Sequence, residues 1–194
     1  MVNQNIHIDE PKPTMSMHPK KFALWLFIVS IVMLFAALTS AYIVKQSDGN
    51  WLSFKLPGIF AVNTVIIIIS SLTMHLAYLA AKNDALERIK WMLLTTVILG
   101  LTFLVGQYFS WSALVDDNVF FVSNYASGSF IYVFTGLHGL HLVSGIIFLL
   151  ITFVSSIRSK IHAKKLIQIE MCMTYWHFLG GLWVYLYIFL LFNL

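Results

Sequence analysis

Charge is scarce in this chain. Lys and Arg number 12 and Asp and Glu 8 in 194 residues, so only 10% of the sequence is charged. A soluble domain usually carries about 25%, and so little charge leaves most of the surface needing a neighbour other than water. Cysteine is scarcer still. Cys172 stands alone, which excludes an intramolecular disulfide and any CxxC metal or haem-attachment motif. Flanked by Met171 and Met173 at the start of an apolar run, it reads as a small core residue. Proline occurs only at positions 11, 13, 19 and 57. The net charge of +4 comes from a tail and loops, and makes no case for nucleic acid.

What is abundant is apolar and aromatic. The chain is 59% hydrophobic, with 16 Phe, 8 Tyr and 6 Trp, a composition suited to a bilayer, where Tyr and Trp favour the interfaces. About 20 apolar residues in a helix cross the roughly 30 Å of hydrocarbon. Five runs qualify, at 22–44, 58–81, 91–114, 127–155 and 170–193. Strands are excluded because open strands leave backbone groups unpaired in lipid. These runs are also about twice the length of a barrel strand and do not alternate. The expectation is an all-α polytopic membrane protein, a bundle of five transmembrane helices over residues 21–194 preceded by a polar tail at 1–20. That tail does not resemble a cleavable leader, because the apolar run after it is too long.

Basic residues set the expected orientation. Lys12, Lys20 and Lys21, then Lys82, Arg88 and Lys90, then Arg158, Lys160, Lys164 and Lys165 fall on one side, ten against Lys45 and Lys55 on the other. The N-terminus is therefore expected in the cytoplasm and the C-terminus on the opposite face. Small residues four apart on the first helix, Ala36/Ser40 and Ala37/Ala41, suggest a close helix contact.

Polar groups within the spans need a partner or a purpose. Candidates for interhelical bonding or lipid holding are Asn63, Ser70, His75, Gln107, His138, His141, Glu170, Trp176 and His177. The histidines admit three readings. A haem between helices needs two facing imidazoles. His138 and His141 are three apart on one helix and cannot serve opposite sides of one haem, whereas His75 and His177 could pair across helices. A proton or ion path needs charge at depth, yet Glu170, near a helix end, is the sole acid in the spans. The third reading is structural, with interhelical bonds worth about 0.6 kcal/mol each.

Several motifs carry a resemblance. Leu24-Trp25-Leu26-Phe27 with Val32-Met33-Leu34-Phe35 opens the series. Asn63-Thr64 with Ser70-Ser71 and Thr73 follows, then Gly100, Phe103 and Gln107. Thr135-Gly136-Leu137-His138-Gly139-Leu140-His141 and Tyr175-Trp176-His177-Phe178 complete it. In this order they resemble subunit III of the haem–copper respiratory oxidases over nearly the whole chain after the tail. Many members have seven helices, so five implies a short bacterial type without the first two.

The resemblance implies a non-catalytic subunit of a cytochrome c oxidase in the cell inner (cytoplasmic) membrane. It implies haem and copper in partner subunits I and II, none bound by this chain, and structural phospholipid held in a cleft. A small subunit IV and a respiratory supercomplex are further partners it suggests. The implied role is to stabilise subunit I and support proton uptake. Apart from the resemblance, His7 and His18 in the tail and His162 in the last loop place imidazoles, which buffer near neutral pH, on the expected entry side. The same subunit type serves quinol oxidases, and a related protein accompanies some nitric oxide reductases. A stand-alone haem-binding membrane cytochrome is the reading from another class. Three positions depart from the family pattern. Ile31 follows Ser30 where an acid is usual, Ser110 stands where an acid often follows the Gln, and Leu179-Gly180 replaces Val-Asp. The departures weaken a proton-antenna role and leave the packing and lipid-holding role intact.

Overall fold

The computed structural model describes residues 18–47, 51, 55–122, 125–157 and 166–194. Most of the polar tail lies outside them, with His7 and Lys12. So do Arg158, Lys160, His162, Lys164 and Lys165 of the last loop. The described residues are all-α. Five helices are each long and apolar enough to cross a membrane: α1 Pro19–Gln46, α2 Ile59–Lys82, α3 Leu86–Asp116, α4 Ala126–Ile157 and α5 Ile167–Asn193.

The helix ends follow local chemistry. Pro19 opens α1, where its missing N–H costs no hydrogen bond and its fixed φ suits a first turn. His18 Nδ1 accepts the Lys20 backbone N–H at 3.4 Å. Helices α2 and α3 both close with a residue in the left-handed conformation, Asp84 at φ 51° and Asn118 at φ 58°. After each, the chain bonds back into the last turn: Ala85 N–H to Ala80 carbonyl at 3.1 Å, and Val119 N–H to Leu114 carbonyl at 2.9 Å. This is the Schellman arrangement, and it caps carbonyls that the helix itself leaves open. It also lets α3 begin at Leu86, ahead of its apolar run, so that the α2–α3 connection is one tight turn.

That turn sets the packing. Helices α2 and α3 form the most extensive pair, α3 packs on α4, α4 on α5, and α5 back on α2, closing a ring of four. Helix α1 leans on the outside of this ring, touching α4 and α5. The ring interior is aromatic: Trp176, Trp183, Phe60, Phe103 and Phe134 are all buried. Two glycines make room for side chains of α5. A Cβ on Gly100 would lie 2.8 Å from Trp176 Cη2, and one on Gly145 would lie 2.7 Å from Leu179 Cδ1.

Helix α1 docks through Ile28, Ile31, Phe35, Thr39 and Tyr42, a stripe of three- and four-residue steps. Tyr42 is the anchor. Its ring meets Trp51, Phe130, Phe134 and Phe189, and its hydroxyl donates to the Asn193 carbonyl at 3.0 Å. The small residues Ala36, Ala37, Ser40 and Ala41 are exposed, so the helix contact expected there does not form within this chain. The reason is geometric: the larger side chains on the other stripe reach into the notch between α4 and α5.

Candidate functional site

The polar groups of the ring interior are built from adjacent helices. Trp176 on α5 donates its indole N–H to Ser70 on α2 at 3.0 Å, and both side chains are buried. Two turns further along α5, Trp183 donates to Thr64 on α2 at 3.1 Å. Thr64 in turn donates to the Phe60 carbonyl at 2.8 Å. The hydroxyls of Thr73 on α2 and Thr96 on α3 share a bond at 2.9 Å. On the α3–α4 side, Trp111 donates to Thr135 at 2.9 Å. Between α4 and α5, the Ser144 and Tyr175 hydroxyls lie 2.7 Å apart. Each bond satisfies a group that lipid cannot.

Asn63 is buried and its side-chain NH₂ donates to Ser110 Oγ at 3.5 Å, while Ser110 donates to the Gly106 carbonyl at 2.9 Å. Gly106 is required here, because a Cβ would overlap the Asn63 amide. The sequence pattern does not link Asn63 to Ser110, 47 positions away. The Ser144–Tyr175 and Trp111–Thr135 bonds involve none of the polar candidates named from the sequence, although Thr135 and Tyr175 open two of its motifs.

The histidines separate. His138 is buried, with Phe103 edge-on at 5.9 Å between ring centroids and Trp183 at 5.0 Å. His141 turns towards α1. Its Nδ1–H donates to the Leu137 carbonyl at 2.7 Å, and its ring lies 5.9 Å from Phe35. His177 is half-buried and hydrogen-bonded through Nδ1 to Ser71 on α2. His75 is exposed, its ring 6.0 Å from that of His177. The fold thus brings His75 and His177 together and keeps His138 and His141 on different faces of α4. Among the described residues, no group of three or more His, Cys, Asp or Glu could hold a metal ion.

An open groove of about 310 Å³ runs between α2 and α5 beside this histidine pair, walled by Ile67 and Leu72 with Ser71, His177, Gly180 and Gly181 along it. At the end of the bundle where α1 and α5 begin, Lys21 Nζ bonds both carboxylate oxygens of Glu170 at 2.8 Å. Nothing in the sequence links these two groups, 149 positions apart.

Residues 11–193 match the family described as cytochrome c oxidase subunit III. The chain belongs to that family. A probable cytochrome c oxidase subunit 3 from Nocardia farcinica is 30% identical over 171 residues, covering 84% of this chain and 82% of that protein. The cytochrome c oxidase subunit 3 of Synechocystis is 33% identical over 187 residues, covering 88% and 75%. The cytochrome bo(3) ubiquinol oxidase subunit 3 of Buchnera aphidicola is 28% identical over 179 residues, covering 90% and 94%. The chain is therefore a subunit of a terminal oxidase complex and a multi-pass membrane protein, as the motifs suggested.

The acids at which the sequence departs from the pattern have apolar or small replacements in place. Ile31 is buried in the α1 contact, Ser110 bonds Asn63, and Gly180 borders the groove.

Proposed function

We propose that this chain is the non-catalytic subunit III of a cytochrome c oxidase, bracing subunit I and retaining phospholipid. Haem and copper belong to subunits I and II in this reading. The tail at 1–20 is cytoplasmic, the five-helix domain fills 21–194 of the cell's cytoplasmic membrane, and the C-terminus emerges on the other side. The basic residues Lys20, Lys21, Lys82, Arg88, Arg158 and Lys160 then meet anionic head groups, each worth about 1 kcal/mol of attraction.

The observation that carries the reading is how the interior polar groups are used. Trp176, Trp183 and Trp111 spend their N–H groups on Ser70, Thr64 and Thr135, tying neighbouring helices together. That chemistry makes a stiff scaffold. The groove between α2 and α5 supplies an apolar wall for a lipid chain. With Ile31 and Ser110 where acids are usual, lipid retention stays and proton uptake through this subunit is weak.

Deleting the chain from the assembled oxidase tests the reading. Initial oxygen reduction should stay near normal, followed by faster inactivation during turnover. Loss of initial activity, with the haems and coppers of subunits I and II retained, would place this chain at the chemistry instead. The Buchnera relative favours a second reading, a quinol oxidase. Partner subunits that co-purify, assayed with reduced cytochrome c and with quinol, separate the two.

A further inference from the structure

Two polar side chains in the ring interior have no partner within the described protein. Neither Oε1 nor Nε2 of Gln107, and neither ring nitrogen of His138, has a hydrogen-bond partner. Both are fully enclosed, Gln107 at 2% exposure and His138 at 0%. Among the described residues Trp51 Nε1, Ser127 Oγ and Ser156 Oγ are also buried without a partner, but each is a single atom, whereas Gln107 and His138 leave two unpaired atoms apiece.

Helical spacing on α3 directs Gln107 to the seam with α4 that His138 occupies. Gln107 lies one turn after Phe103 and one turn before Trp111 on α3. Phe103 packs against His138, and Trp111 donates to Thr135, three residues before His138 on the same face of α4. Gln107 is thus bracketed by two contacts that both reach α4 beside His138. The two side chains do not bond each other; of the rings that flank His138, Phe103 has no polar atom and Trp183 gives its one N–H to Thr64.

Buried polar atoms in native proteins are paired with protein or with ordered water. Inside a membrane bundle bulk water cannot substitute, so an unpaired amide beside an unpaired imidazole is an expensive arrangement. A water molecule needs two to four polar partners, and these two side chains supply an acceptor oxygen, an NH₂ donor, and one donor and one acceptor ring nitrogen. We propose that Gln107 and His138 form a buried water site between α3 and α4, in which water bridges the Gln107 amide and a His138 ring nitrogen. The site is separate from the α2–α5 groove and does not depend on the identity of the electron donor.

The test is a cryo-electron microscopy map of the chain purified with its partner subunits, at a local resolution that shows ordered water elsewhere in the same map. Density is expected within hydrogen-bonding reach of both Gln107 and His138, and it should disappear in Gln107→Leu while His138 keeps its position. A direct Gln107–His138 bond without intervening density would overturn the proposal. So would a partner-subunit or lipid atom filling the seam, or density that persists unchanged in Gln107→Leu. If that variant does not assemble, the wild-type map and a His138→Gln variant decide. The glutamine should retain the density, because it keeps a donor and an acceptor, and its loss there would count against the site.

Discussion

The Trp176 indole ring lies against Gly100 while its N–H donates to Ser70 at 3.0 Å. One side chain therefore joins α5 to α2 by a hydrogen bond and to α3 by a contact that tolerates no Cβ. The two attachments differ in cost. An interhelical hydrogen bond in a membrane is worth about 0.6 kcal/mol and rarely above roughly 1.7, whereas overpacking a tight core costs about 1–3 kcal/mol. Gly100→Val should therefore lower the thermal stability of the purified complex more than Ser70→Ala. Equal shifts would show that Trp176 gives way, and that the Gly100 contact is softer than its geometry.

The Lys21–Glu170 pair fixes the start of α1 to the start of α5. Both side chains are about a third exposed, so the pair contributes about 0–1 kcal/mol after screening. Lys21→Glu should loosen α1, read as faster proteolysis near its start. The exchange Lys21→Glu with Glu170→Lys should recover most of the protection at low salt. No recovery in the exchanged pair would mean that α1 is held by the Tyr42 cluster alone.

Asn118 adopts φ 58° in the turn that closes α3. A β-branched residue is strained there by roughly 1–2 kcal/mol, and glycine is not. Asn118→Val should lower the melting temperature of the complex, while Asn118→Gly should leave it unchanged or raise it. A neutral Asn118→Val would contradict the left-handed cap.

The isolated chain should show no stoichiometric Soret band and no copper that survives dialysis. His138 is enclosed by Phe103 and Trp183, His141 is turned towards α1, and His177 already bonds Ser71. The remaining pairing is His75 with His177, whose rings are tilted by 45° at 6.0 Å. A Soret band lost in His75→Ala would revive the haem reading for that pair.

The number and type of the elements were legible from residues alone. A backbone in hydrocarbon must satisfy its own hydrogen bonds, so five long apolar runs could become nothing but helices. The interior placement of Asn63, Ser70, Gln107 and His138 could be anticipated for the same reason, since polar groups are costly against acyl chains. Which face of α1 packs was not readable. That helix carries few polar groups, and lipid is as comfortable for Leu as a helix neighbour is. Hence Ala36, Ala37, Ser40 and Ala41, which looked like a contact, are exposed, while Ile28, Phe35 and Tyr42 make it.

Partner identity was decided only in three dimensions. Ser70 meets Trp176 across 106 positions, and Lys21 meets Glu170 across 149. The tight α2–α3 turn and the closing of α5 onto α2 bring such residues to one depth, and no periodicity within a single helix encodes that register. The sequence determined that the polar groups must be hidden from lipid. The tertiary structure decided which of them satisfy one another and left Gln107 and His138 without a protein partner, because hydrogen bonding depends on where side chains meet and not only on how deeply they lie.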